Sequence, residues 1–152
     1  RVVFLRFFTV YGPWGRPDMF LFKLVKNIRE NKYIDIYNNG KHERDFTYIE
    51  DISKGIVNCI VYNKNLFKNS RFQILNMGRG KPIKLLNFIN IVESAMNKKA
   101  KKKYLPIQKG DVLKTFADIK LSKYKIKYNP KINYKIGIAK FIDWYLKNEK
   151  KI

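Results

Sequence analysis

The stretch Leu5-Arg6-Phe7-Phe8-Thr9-Val10-Tyr11-Gly12-Pro13-Trp14-Gly15-Arg16-Pro17-Asp18-Met19 puts a hydroxyl, two aromatic rings and a guanidinium at the end of one apolar strand and in the loop after it. In open α/β sheets ligands sit just beyond the carboxyl ends of the strands, so Thr9 and the loop to Arg16 form a candidate ligand site. The Arg16 guanidinium is a planar fork that suits a carboxylate; its plain alternative is a pair with Asp18. Arg44 opens a later strand, where an exposed pair with Glu43 or Asp45 would be worth little. Asp111 ends the polar loop Gln108-Lys109-Gly110-Asp111 and is suited to accept from hydroxyls. Other chemistries are excluded. One histidine, His42, and one cysteine, Cys59, cannot make a zinc cluster, and nothing is arranged around His42 as a serine–histidine triad. His42 follows a turn and is expected to be exposed.

The elements that position these residues follow from periodicity. Val2 to Phe8 is a nearly continuous apolar run, expected to be a strand buried on both faces. Asp18 after Pro17 is a candidate N-cap for a helix over 20–29, with apolar positions 21, 24, 25 and 28 on one stripe. Tyr33 to Tyr37 alternates as a strand, and Asn38-Asn39-Gly40 supplies left-handed turn positions. Arg44 to Ile49 reads as one strand, followed by a helix to Tyr62 that buries Ile52, Ile56, Cys59 and Ile60. A strand over 72–78 leads to a helix over 84–96. Pro106 limits 103–107 to an edge strand. Asp118 caps a short helix over 119–124, and a last helix over 134–148 buries Ile138, Phe141, Ile142 and Tyr145. This alternation predicts an α/β fold. Only 2–8 and 72–77 read as parallel-sheet strands, and two are too few for a free-standing sheet, so partner strands upstream are expected.

The chain has 152 residues, 45% hydrophobic and 15% aromatic, which suits a folded domain. A lone thiol argues for a reducing, cytoplasmic setting. No apolar run reaches the roughly 18 residues of a membrane span, and a signal-peptide pattern is absent. The chain opens inside a strand without a start methionine, which leads us to expect a piece of something longer. The net charge is +21, from 33 Lys and Arg against 12 Asp and Glu. Lysine is raised together with Asn, Ile, Tyr and Phe, as A+T-rich codons would raise them all. The dense run Lys98, Lys99, Lys101, Lys102 and Lys103 follows a helix whose dipole it complements. The charge is therefore read as compositional bias, with no specific nucleic acid and no membrane as partner.

At Arg6 to Met19 the sequence resembles the NAD-dependent nucleotide-sugar epimerases and dehydratases, the extended short-chain dehydrogenases, and within them the UDP-glucuronate 4-epimerases. Tyr37-Asn38-Asn39-Gly40, Arg44-Asp45-Phe46-Thr47-Tyr48-Ile49-Glu50-Asp51, Leu75-Asn76-Met77-Gly78, Gln108 to Val112, Thr115 to Asp118 and Phe141-Ile142-Asp143-Trp144-Tyr145 carry the likeness along the chain. It implies the C-terminal portion of a Rossmann-type enzyme. Late Rossmann strands, at about 1–10 and 71–78, would be interleaved with a small substrate-binding domain at about 11–50 and 100–152. By the same resemblance, Thr9 contacts the sugar, Arg16 its carboxylate, Arg44 the diphosphate and Tyr37 the uracil, with the Asp35 backbone reading its edge. Gln108 and Asp111 approach the diphosphate and ribose. Phe7, Phe8 and Val10 wall the nicotinamide of NAD.

The resemblance also implies a homodimer for the complete enzyme. The family's Gly-x-x-Gly-x-x-Gly turn and Tyr-x-x-x-Lys pair are not in this sequence, so no catalytic residue is assigned and the chain alone is expected to be inactive. Many relatives carry arginine where Gln108 stands, and Lys109 is the nearest compensating charge. Two alternatives stay open: a 4,6-dehydratase or decarboxylase of the same family, and an inactive remnant or stand-alone basic binding module.

Overall fold

A computed structural model describes residues 1–68 and 70–148. Strand β1 (Val2–Phe7) is followed after one residue by β2 (Thr9–Tyr11). Then come α1 (Phe20–Arg29), β3 (Tyr33–Ile36), β4 (Glu43–Arg44), β5 (Phe46–Tyr48), α2 (Ile49–Val61) and the single turn α3 (Asn63–Leu66). The second half adds β6 (Phe72–Met77), β7 (Ile83–Lys84), α4 (Leu85–Met96), β8 (Lys101–Tyr104), α5 (Lys120–Ile126) and α6 (Tyr134–Asn148).

The strands form short ladders. β1 pairs with β6 in parallel, as expected. Two further pairs, β2 with β5 and β3 with β8, are also parallel, which strand-by-strand pattern did not reveal. β4 and β7 pair antiparallel. The chain changes partner at Phe8: its N–H donates to Met77 O at 3.2 Å, and the next N–H, of Thr9, donates to Asp45 O at 3.2 Å. Thr9 therefore sits where one ladder ends and another begins.

Two apolar clusters form beneath these ladders. The larger gathers α1, α4 and α6 around β3 and β5, with Leu24, Val25, Phe46, Phe88, Ile89 and Ile138 among its buried residues. Phe46 stacks on Phe88 at 4.0 Å between centroids, and Tyr11 meets Phe46, Tyr48 and Phe88 edge-on. Each fully buried Leu, Ile or Phe contributes about 1.5–3 kcal/mol. The smaller cluster joins Ile52, Leu75, Met77, Ile126 and Tyr128, with Val3 and Leu5 packed against it.

Several expectations need correction. β1 is covered on one side only: Val2 and Phe4 are about half exposed. Asp18 does not cap α1, whose N-cap Met19 has no side-chain cap bond, because Arg16 takes the Asp18 carboxylate instead. The strand over 44–49 is broken at Asp45, and α2 starts at Ile49. In α2, Ile56 and Ile60 are exposed, because Met77 and Tyr128 pack closely over Gly55 and turn the buried stripe to Asp51, Ile52 and Gly55. The edge strand is Lys101–Tyr104, ending before Pro106. α5 starts at Lys120, with Ile119 as N-cap and the Asp118 carboxylate accepting the Lys120 N–H at 3.0 Å. Among the described residues, no helix is long and apolar enough to cross a membrane.

Glu93 of α4 ties the lysine run to the core. It is buried, and its carboxylate accepts from Ala100 N–H at 3.0 Å, from Lys99 Nζ at 3.1 Å and from Lys102 Nζ. Burial pushes its carboxyl pKa up, but these donors outweigh burial and hold it below the ordinary value of 4.5. A depressed folded-state pKa stabilises above the unfolded value, and that stability is lost as pH falls through the folded one. Glu93→Gln is expected to cost about 2–3 kcal/mol at neutral pH. It should also flatten the acid limb of a urea-unfolding series below pH 4.5; an unchanged acid limb would contradict this role.

Candidate functional site

β2, β3 and β4 and the segment after residue 108 converge on a cavity of about 300 Å³. Thr9, Asp35, Tyr37, Arg44 and Asp111 line it, together with Met19, Phe20, His42, Phe46 and Leu85. Five sequence-selected positions, separated by up to 102 residues of chain, thus share one space. Local structure explains how each arrives. Thr9 stands at the ladder junction. Asp35 lies in β3, and Tyr37 is the first residue of a tight turn, not the last of a strand. Asn38 and Asn39 take φ of 50° and 48°, which asparagine tolerates. The turn is pinned because Asn39 N–H donates to Leu105 O at 3.2 Å, while Leu105 N–H donates to Ile36 O at 3.0 Å.

Arg44 and Asp111 form the polar heart of the cavity. Arg44 Nη2 donates to Asp111 Oδ1 at 2.7 Å, and Nη1 donates to the carbonyls of Glu43 at 3.1 Å and Leu113 at 3.3 Å. The expected pairs with the Glu43 or Asp45 carboxylates do not form. Glu43 instead meets Lys114 at 3.0 Å. His42 corrects the expectation of exposure: it is 3% exposed, and its Nε2 lies 3.0 Å from Asp111 Oδ2.

Asp45 points the other way and is fully buried. Its Oδ1 accepts Arg79 N–H at 2.8 Å, and its Oδ2 accepts Gly80 N–H at 2.9 Å and Ala117 N–H at 3.0 Å. Its own N–H donates to Thr115 Oγ1 at 3.1 Å. One carboxylate thus fixes the end of β6 and the 115–117 segment against β5. The polypeptide that carries Asp111 is held by these bonds, by Glu43 N–H to Leu113 O at 2.9 Å and by Thr115 N–H to Glu43 O at 3.1 Å.

Arg16 lies beside a smaller cavity of about 30 Å³, room for one water. Thr9, Met19, Phe20 and Phe46 line both cavities, so the two are neighbours. Arg16 is exposed, and its fork grips Asp18: Nε donates to Oδ1 at 3.0 Å, and Nη2 donates to Oδ2. That pair raises the Arg16 pKa and lowers that of Asp18. The loop passes close over α2 at Gly12, where φ is 148° and a Cβ would collide with Ile49. Tyr11 beneath it is buried, which pushes its phenol pKa up. Val10 lines the smaller cavity, Phe8 is half-buried against the lesser cluster, and Phe7 is 49% exposed at the end of β1. Gln108 is exposed outside the larger cavity; its carbonyl accepts the Asp111 N–H at 3.1 Å.

Residues 1–78 match the family described as NAD dependent epimerase/dehydratase family. That is half of the chain. The chain belongs to the NAD-dependent epimerase/dehydratase family. A protein of Methanocaldococcus jannaschii described as uncharacterized is 48% identical over 149 residues, covering 98% of this chain and 44% of the relative. The UDP-glucuronate 4-epimerase of Thermodesulfobacterium geofontis is 41% identical, with 95% of this chain and 43% of the relative covered. Among solved structures, UDP-glucuronic acid 4-epimerase from Bacillus cereus in complex with UDP-glucuronic acid and NAD superposes with a TM-score of 0.86 at 33% identity. It covers 95% of this chain and 45% of that one. The chain spans less than half the length of these relatives and corresponds to the C-terminal part of a Rossmann-type enzyme of the epimerase/dehydratase family.

Within this epimerase/dehydratase chain, sequence reasoning missed His42, Phe20 and the bracing role of Asp45. Signals existed for each. His42 and Arg44 are two apart in an extended segment and so share a side. Arg44 and Asp45 are adjacent and so face opposite ways, which argues against their pairing. Phe20 is apolar yet falls outside the buried stripe of α1.

Proposed function

We propose that this chain is the nucleotide-sugar-binding part of an NAD-dependent UDP-sugar 4-epimerase acting on UDP-glucuronate. The observation that carries it is the single cavity joining Thr9, Asp35, Tyr37, Arg44 and Asp111. Arg44 gives the diphosphate a guanidinium partner, Tyr37 offers a ring to the uracil, and Asp111 accepts from ribose hydroxyls. Gln108 approaches the same segment of ligand through the loop it shares with Asp111. Thr9, shared by the two cavities, meets the sugar between them. Arg16 faces the sugar carboxylate, and its grip on Asp18 demonstrates the fork geometry such a carboxylate would take over. Holding that carboxylate also protects the sugar at its 4-keto stage, a β-keto acid that loses carbon dioxide readily when misaligned.

NAD would supply the hydride acceptor and donor for C4 of the sugar. Of this chain, Phe7, Phe8 and Val10 fit the nicotinamide side of that group, as apolar side chains at the carboxyl end of β1 and the start of β2 that keep water away. The sequence holds no glycine-rich turn for a pyrophosphate, so these residues would wall the group and not anchor its phosphates.

Arg16→Ala tests the sugar assignment. It should weaken UDP-glucuronate binding about tenfold or more and leave UDP-glucose within about twofold, as expected for one charge-assisted pair. Competition titrations against UDP read this directly; equal losses for both sugars would refute the carboxylate role.

A further inference from the structure

Asp111 has two neighbours that compete for its charge, and only one of them is a permanent cation. Oδ1 takes the Arg44 hydrogen bond at 2.7 Å, while Oδ2 lies 3.0 Å from His42 Nε2. The imidazole nitrogen is buried and makes no well-aligned hydrogen bond, although it lines the same cavity. We propose that His42 is a positioning residue: it holds Asp111 through Oδ2 and takes up a proton when an anionic ligand draws Arg44 away from Oδ1. This rests on Arg44 being the partner of the diphosphate.

The exchange follows from charge balance. A guanidinium shared between a carboxylate and a diphosphate serves both poorly. Once the diphosphate takes the guanidinium, Asp111 keeps a full charge in a half-buried place. His42 is the nearest group able to offset it, because its Nε2 lies 3.0 Å from Asp111 Oδ2 and a proton there faces the carboxylate that Arg44 has left. The proton comes from solvent. The other charged groups around His42 are already engaged or acidic. Glu43 pairs with Lys114 at 3.0 Å and faces Lys84 across the β4–β7 ladder, Asp35 and Tyr37 lie on the cavity wall, and Lys41 points outward. Among the described residues lining the cavity, Arg44 is the one fixed cation.

The protein has a single histidine, so its imidazole Cε1–H is one assignable proton resonance. We would titrate it with pH in the whole chain, alone and with saturating UDP-glucose, whose diphosphate diester keeps its charge through the imidazole range. The His42 pKa should rise by about one pH unit with UDP-glucose, and UDP-glucose should bind about tenfold tighter below the transition than above it. Arg44→Ala without any sugar nucleotide should raise the same pKa, because Asp111 then has His42 alone. His42→Gln, which can donate but not titrate, should bind UDP-glucose with no slope between about pH 5.5 and 8. Bound UDP-glucose with an unmoved His42 titration would overturn the proposal and leave the diphosphate assignment standing, and so would an unmoved titration in Arg44→Ala. Failure of UDP-glucose to bind at all would remove the diphosphate assignment and this proposal together.

Discussion

Asp45→Ala is expected to lower stability by about 3 kcal/mol or more, the largest effect of any single polar substitution around the site. The carboxylate is fully buried and receives the N–H groups of Arg79, Gly80 and Ala117. Removing it leaves three donors with no acceptor in a place water reaches poorly, at about 1–3 kcal/mol each. Domains of this size are stable by only about 5–15 kcal/mol, so much of the margin would go. Asp45→Asn should fare little better, because its amide NH2 would face an N–H donor. The shift in urea midpoint measures the cost; a loss under about 1 kcal/mol would mean that the three N–H groups find other partners.

Arg44→Ala is expected to weaken UDP binding by roughly a hundredfold, about 2.7 kcal/mol, at low salt. Among the described residues lining the cavity, the guanidinium is the one fixed cation, and its fork matches phosphate oxygens. Arg44→Lys should recover only part of this, since a point charge keeps attraction but loses the two-pronged geometry. Stability should change far less than in Asp45→Ala, because Arg44 is partly exposed and its carbonyl acceptors have other partners. Titration of UDP into both variants reads the ratio, and wild-type affinity in Arg44→Ala would move the diphosphate elsewhere.

The contrast between these neighbours shows what the sequence made legible. The helices α1, α4 and α6 were readable because each shows a strong 3.6-residue stripe that the larger cluster then buries. β1 and β6 were readable as apolar runs, and their parallel pairing followed. The pairs β2–β5 and β3–β8 were not, because strands of three or four residues carry too little pattern, and their partners lie 37 and 68 residues downstream. At the site, residue types pointed to Thr9 and Asp111, the family resemblance added Asp35, Tyr37 and Arg44, and the fold brings all five to one cavity. The local text could not show that Arg44 and Asp111, 67 residues apart, meet, nor that His42 stands behind them. Arg16 has two candidate partners: the pair with Asp18 is what the structure contains, and the sugar carboxylate is what we propose would displace it.

The central claim is that the cavity between Thr9, Asp35, Tyr37, Arg44 and Asp111 receives a UDP-sugar. The most direct test is a titration of UDP-glucuronate into the isotopically labelled chain, followed by backbone amide resonances. The account predicts saturable shifts concentrated at residues 9, 35–37, 42–44 and 108–111, with the Arg16 loop responding to UDP-glucuronate and not to UDP. Shifts confined to the lysine run at 98–103 and abolished by salt, with the cavity residues silent, would contradict it.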